Sequence, residues 1–480
     1  MYILHRRCKY MPRAIGISYQ IVVMKAFVML YNINVRSFMF SMAGLAGMIL
    51  AGCHTERRLS GSVTGIQKVG HVVVIYMENH SFDNLYGQFG GADGLTNATT
   101  AEITQVDSQG QPYTYLPSIP GTSAFPINLT NTYFNIDQYV PSDQEIPDVL
   151  HRFYQEQMQI DGGRMDKFAL YNNTKGLTMG YYKTSLLPLD SLAKEYTLCD
   201  RFFHSAFGCS FLNHQWLIAA TSPVFPNAPQ QRRASVDSSG RLVTDGSVTP
   251  DGYAVNTLYS VNKPHPALAP AETLVPNQTN PTIGDRLTAK RISWAWYSGG
   301  WDSALAGHPD PSFSFHHQPF VYFANYADGT PAKKQHLKDE TGFFEAVRTG
   351  QLPAVSFVKP LGLFNEHPGN SDIVSSERHA VDLIDAVLNG PDGKDAVIIL
   401  TYDENGGFWD HVPPPVIDRW GPGTRIPAII ISPFAKKGFV DHTTYETVSI
   451  LAFIEQRWGL EPLGDRDRKA SPLAGAFDFK

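Results

Sequence analysis

The residues of this chain most able to do chemistry lie in stretches far apart in the sequence. Glu78 and Asn79 follow the apolar run His71–Met77, and Asp403 and Glu404 follow the apolar run Ala396–Leu400. Carboxylate and amide oxygens are the ligands that hard divalent cations take. Each pair stands at the end of a β-branched run that reads as a buried strand. In open α/β sheets the carboxyl ends of the strands are where ligands bind. Gly406 and Gly407 let the chain turn sharply while the acids stay at the strand tip. Phe408, Trp409 and Val412 surround Asp410 and His411, which argues against a plain solvated loop. A further position is Ser210, in Phe207-Gly208-Cys209-Ser210, between a short strand and a helix running Asn213 to Ala220. A hydroxyl there meets a substrate and a metal while the helix end stabilises negative charge; it serves equally as an amino-terminal cap.

Positioning these groups requires a sheet. Strands at about 71–77, 196–200, 292–297, 355–358, 396–401 and 426–432 alternate with helical patterns. These include one from near Ser81, Leu187 to Glu195, Ser376 to Leu388 and the amphipathic Thr444 to Trp458. The alternation predicts a doubly wound, mostly parallel α/β sheet with helices on both faces. More polar clusters sit at or after strand ends: Lys359, then Asn365-Glu366-His367. His316 and His317 are adjacent, so both reach one ligand only from a loop, which Pro319 favours. His151 closes Asp148-Val-Leu-His151 at the start of a helical pattern. Polar, Pro- and Gly-containing stretches near 92–142 and 223–278 read as irregular insertions.

Residues 1–52 read as a lipoprotein-type signal. Arg36 precedes an apolar run from Phe38 to Leu50, and Leu50-Ala51-Gly52-Cys53 then offers Cys53 for lipidation. The apolar core is short for a bilayer span. Residues 53–67 form a tether and 68–480 a single domain. The expectation is an exported periplasmic or cell-envelope lipoprotein of a bacterium, held to the membrane by its lipid. Removal of Cys8 and lipidation of Cys53 leave Cys199 and Cys209, either paired or as two buried thiols. A net charge of -6 leaves no basic footprint for nucleic acid. Nothing in the chain sets an oligomeric state.

Taken together, MENHSFDN, TYDENGGFWDHVPPP and GTRIPAIIISPFAKKGFVDHTTYETVSILAFIEQRWGL resemble the bacterial phosphoesterases of the phospholipase C/acid phosphatase superfamily, which is alkaline-phosphatase-like in fold. SWAWYSGGW and FSFHHQPFVYFANYADG look more like the acid phosphatase branch. The turn FGCSFLN stands where that family has its nucleophile, although some relatives carry threonine and a proline-richer turn. The resemblance implies Glu78, Asn79, Asp403 and Glu404 as metal ligands and Ser210 as nucleophile. It implies His151, His316, His317 and His367 around the phosphate, with His151 and His367 in catalysis and His367 protonating the leaving group. Asn213, Lys359 and His411 are supporting candidates, the first two as substrate contacts. The expected cofactor is one divalent metal ion: Mg²⁺, Ca²⁺, Zn²⁺ or Mn²⁺. The expected activity is an acid phosphatase working through phosphoserine. The alternatives are a phospholipase C cutting phosphodiesters, or a surface lipoprotein that binds without catalysis. If several imidazoles must be charged, the optimum is acidic.

Overall fold

The computed structural model describes residues 65–480 apart from Ser239, and these fall in one compact unit. The signal segment, Cys8, Cys53 and most of the tether lie outside the described residues. Among the described residues, no helix is long and apolar enough to cross a membrane.

The core is an eight-stranded sheet. In chain order its strands are β1 (His71–Met77), β2 (Thr197–Cys199), β3 (Trp294–Ser298), β4 (Leu337–Asp339), β5 (Val355–Lys359), β6 (Ala396–Tyr402), β7 (Ala428–Ile431) and β8 (Phe439–Asp441). Their spatial order is β8-β2-β7-β6-β1-β5-β3-β4. Every pairing is parallel except the two made by β7, which runs against β6 and β2. The sheet is therefore mixed and mostly parallel, as expected. The short edge strands β4 and β8 carry too little apolar sequence to announce themselves.

All seven residues of β6 are buried, as an interior strand covered on both faces demands. Five helices frame the site: α1 (Phe82–Tyr86), α2 (Phe153–Ile160), α3 (Ser210–Ala219), α4 (Ile373–Asn389) and α5 (Thr447–Trp458). Neighbouring β-residues point to opposite faces. Tyr76 pairs with Thr401 and reaches the backbone of α3, its hydroxyl 3.4 Å from the Asn213 carbonyl. Tyr402, one step on, points the other way and donates to Glu366 Oε2 at 2.8 Å, beneath α4.

Several boundaries differ from the sequence reading. The helix expected from Asn213 begins at Ser210, so the serine opens the helix and Cys209 is the residue before it. The pattern around His151 becomes helical only at Phe153. His316 and His317 do sit in a loop, on the 3-10 turn Phe315–His317. Cys199 and Cys209 are buried free thiols.

One buried network ties the loop after β6 to the rest. Arg425 donates to Asp410 Oδ1 (2.8 Å) and Asp83 Oδ1 (3.2 Å), and His411 Nδ1 lies 2.6 Å from Asp83 Oδ2. Burial alone would lower the His411 pKa, but the hydrogen bond and charge of Asp83, with Asp410 behind it, raise it to about 9. A folded-state pKa above that of free imidazole stabilises fully below pH ~6.5 and is lost as pH rises through about 9. The full contribution is about 3 kcal/mol. Urea denaturation at pH 6.5 and pH 9.5 is expected to show that loss in the native chain, and a much smaller one in His411→Gln. Equal losses in both proteins would refute the assignment.

Candidate active site

The pairing register builds the site. Met77 of β1 stands opposite Tyr402 of β6, so the next residues, Glu78 and Asp403, leave the sheet side by side. Asn79 then adopts a left-handed backbone (φ 65°), which swings its amide toward Glu404. The second turn must pass directly over Asn79. Gly406 also has positive φ, and a Cβ there would collide with the Asn79 carbonyl. Only glycine fits that crossing.

Glu78, Asn79, Asp403 and Glu404 are all fully buried. One end of the Asn79 amide lies 2.8 Å from Glu78 Oε2, 2.9 Å from Glu404 Oε1 and 3.2 Å from Asp403 Oδ1; the other lies 3.0 Å from His367 Nε2. The Ser210 hydroxyl donates to Glu78 Oε2 at 3.0 Å and lies 3.4 Å from the Asn79 oxygen. Segments from both ends of the chain thus meet around one serine.

The fit to a cation follows from these oxygens. Asp403 Oδ2 is buried and has no hydrogen-bond partner among the described residues. Burial first, and then the neighbouring charge of Glu78, push the Asp403 carboxyl well above the usual range; burial and Asp403 do the same to Glu404. Carboxylates this crowded stay ionised only beside a positive charge. With its oxygen on a cation, the Asn79 amide turns its nitrogen to His151 Nε2, at 3.3 Å, and His367 Nε2. Both imidazoles can accept there, because their Nδ1 atoms lie against the backbone carbonyls of Val149 and Pro368.

Two other groups of acids and histidines lie buried nearby. Asp83, Asp410 and His411 enclose Arg425, so that cluster carries its own cation. Glu78, His214 and His317 have Lys359, whose ammonium touches Glu78 Oε1. Burial would raise the Glu78 carboxyl, but Lys359 and His317 outweigh it and hold it well below the usual range. Among the described residues, no lysine or arginine makes an ion pair of that kind with Asp403 or Glu404.

The remaining candidates divide by exposure. His151, His316 and His367 are half-buried. His317 is buried, with Nε2 2.8 Å from Glu78 Oε1. Lys359 and Asn213 are wholly enclosed, which removes them from contact with substrate. Asn213 clamps the turn that leads into Ser210: its amide donates to the Ala206 and Gly208 carbonyls and accepts from the Ala206 N–H. His411 belongs to the Arg425 network. Burial works against the expectation of several imidazolium groups. Burial pushes His151, His214 and His316 down, and His317 to about 4, so these rings are neutral near pH 7.

Two residues escaped the sequence reading. His214 lies four positions after Ser210, hence on the same helix face, a spacing visible in the sequence. Its Nδ1 donates to the Ser210 carbonyl at 2.7 Å. Glu156 had no local signal. Its buried carboxylate accepts from Gly208 N–H, Thr424 N–H and the Thr424 hydroxyl, with His204 Nε2 2.9 Å away.

The chain resembles several curated proteins. It is 24% identical to the non-hemolytic phospholipase C of Pseudomonas aeruginosa over 92% of this chain, and spans 63% of that relative's length. It is 23% identical to phospholipase C B of Mycobacterium tuberculosis, covering 91% of this chain and 82% of the relative. Non-specific phospholipase C3 of Arabidopsis thaliana is 22% identical, with 87% and 75% covered. Among solved structures, a protein in the alkaline phosphatase superfamily from Vibrio parahaemolyticus aligns at 12% identity and a TM-score of 0.35, over 63% of this chain and 66% of that one. The phosphoesterase family model matches residues 69–461, and the chain belongs to that family.

Proposed function

We propose that this chain is a metal-dependent hydrolase of phosphoric esters in which Ser210 is the nucleophile. The carrying observation is the Ser210 hydroxyl donating to Glu78 beside two further buried carboxylates, Asp403 and Glu404, that pair with no lysine or arginine among the described residues. Glu78, Asn79, Asp403 and Glu404 would hold one divalent ion. The all-oxygen set favours a hard divalent ion such as Mg²⁺, Mn²⁺ or Ca²⁺ over the more nitrogen-seeking Zn²⁺. When bound, the ion supplies Lewis acidity to the serine oxygen and the phosphoryl group.

The chain's own residues do the rest. Glu78 Oε2 receives the Ser210 proton. The Oγ–P bond forms as the bond from phosphorus to the leaving oxygen breaks, at the amino end of α3, where the helix dipole favours negative charge. His367 enters the cycle as imidazolium, gives its Nε2 proton to the departing oxygen and takes one back from the attacking water, while Glu78 returns its proton to Ser210 Oγ. Water then cleaves the phosphoserine and restores the hydroxyl. Asn213 and Glu156 hold the turn that aims Ser210.

For the substrate, the names of the relatives favour a phosphodiester of the phospholipase C type. A monoester reading, acid phosphatase, is favoured by the resemblance of SWAWYSGGW and FSFHHQPFVYFANYADG to that branch. Phosphatidylcholine, bis-p-nitrophenyl phosphate and p-nitrophenyl phosphate separate the two. Ser210→Ala is expected to lower turnover of whichever is cleaved by at least about a thousandfold. Unchanged turnover would end the nucleophile assignment.

Protons and metal compete for Asp403 and Glu404, whose carboxyls are pushed up in the free site. Activity is expected to fall on the acid side, and the midpoint to move to lower pH as Mg²⁺ or Mn²⁺ is raised. An acid limb indifferent to metal concentration would contradict this.

The same proposal extends to export and lipidation at Cys53, supported by the order of Arg36, the apolar run and Leu50-Ala51-Gly52-Cys53. Mass analysis of the mature amino terminus from bacterial membranes should find diacylglycerol on Cys53. An intact terminus upstream of Cys53 would refute it.

A further inference from the structure

A second set of ligand atoms lies directly behind the first. Glu78 offers one carboxylate oxygen to Ser210 and the Asn79 cluster, and the other, Oε1, to the opposite side. There the Glu78, His214 and His317 ligand atoms lie within 4.8 Å of one another, all on buried residues. The His214 Nδ1–H is committed to the Ser210 carbonyl, so Nε2 carries the lone pair. That buried nitrogen has no hydrogen-bond partner among the described residues. His317 stacks parallel to it at 5.1 Å. Two imidazole nitrogens and a carboxylate oxygen are the donor set of a zinc-type site. The set already holds a positive charge. Lys359 is fully buried, its ammonium against Glu78 Oε1, 3.3 Å from the Met77 carbonyl and 5.4 Å from the centre of the Tyr76 ring.

Resting on the cation site proposed above, we propose that the Lys359 ammonium takes the place of a second metal ion, so that Lys359 fixes the metal content at one per chain. A dication among Glu78, His214 and His317 would share Glu78 Oε1 with the ammonium, and the two like charges would repel at short range. Removing the charge and leaving the three ligands opens a nitrogen-rich position that accepts Zn²⁺.

The test is metal content by mass spectrometry, after equilibration with Zn²⁺ and removal of loosely held ion. The native protein and Lys359→Arg are expected to hold one ion, and Lys359→Met two. Lys359→Met combined with His214→Phe should return to one, because the second position loses a ligand. One ion in a folded Lys359→Met, or two in the native protein, would overturn the proposal. A native protein that holds none would instead overturn the single-cation reading on which it rests. Should Lys359→Met fail to fold in metal-free buffer, refolding in Zn²⁺ reads the same question. Recovery of native circular dichroism with two bound ions supports the proposal; failure to recover, or recovery with one, overturns it.

Discussion

Buried negative charge must be balanced, and this fold balances it in more than one way. An uncompensated carboxylate in a protein interior is costly enough that it protonates or finds a partner. Arg425 neutralises Asp83 and Asp410, and Lys359 neutralises Glu78. Asp403 and Glu404 are buried as deeply, but what faces them is backbone N–H groups, the Asn79 amide and two distant imidazoles, with no lysine or arginine paired to them among the described residues. The chain has brought its own cation to two places, and on the reading proposed above the third is filled by an external one. That asymmetry is what separates a reactive centre from two structural clusters of similar composition.

The geometry that follows is set by the sheet. A single register, Met77 against Tyr402, puts acids from the first and sixth strands at one point. The left-handed turn at Asn79 and the glycine crossing above it then close the oxygen cluster. The serine reaches that cluster from outside the sheet, on the first turn of α3, and so needs its own supports. Asn213 holds the turn from within the helix, and Glu156 holds it from α2.

Much of this was legible in the sequence, because its signals are local. Apolar runs ending in Glu78-Asn79 and Asp403-Glu404 announced both the strands and the oxygens at their tips. Adjacent His316 and His317 required a loop and received one. What stayed hidden depends on where side chains end up. Lys359 and Asn213 look like substrate contacts in a line of text, and only enclosure shows them turned toward protein groups. The imidazole charges were misread for the same reason, since a sequence carries no measure of desolvation. Glu156 lies on a helix with no motif and matters because two segments distant in sequence, residues 204–208 and Thr424, converge on its carboxylate. The reversed direction of β7 is equally silent, since its apolar residues read the same either way.

The segment 223–278, which reads as an irregular addition to the fold, reaches into its centre. Asn256 Oδ1 accepts the Phe153 N–H at 3.0 Å, at the foot of the loop carrying His151, and its amide donates to the Gly246 carbonyl at 2.7 Å. Asp245 holds Arg152 next door. This excursion is a buttress and cannot be trimmed away as ornament. A shortened descendant would have to evolve another acceptor for that amide before it could keep the histidine in place.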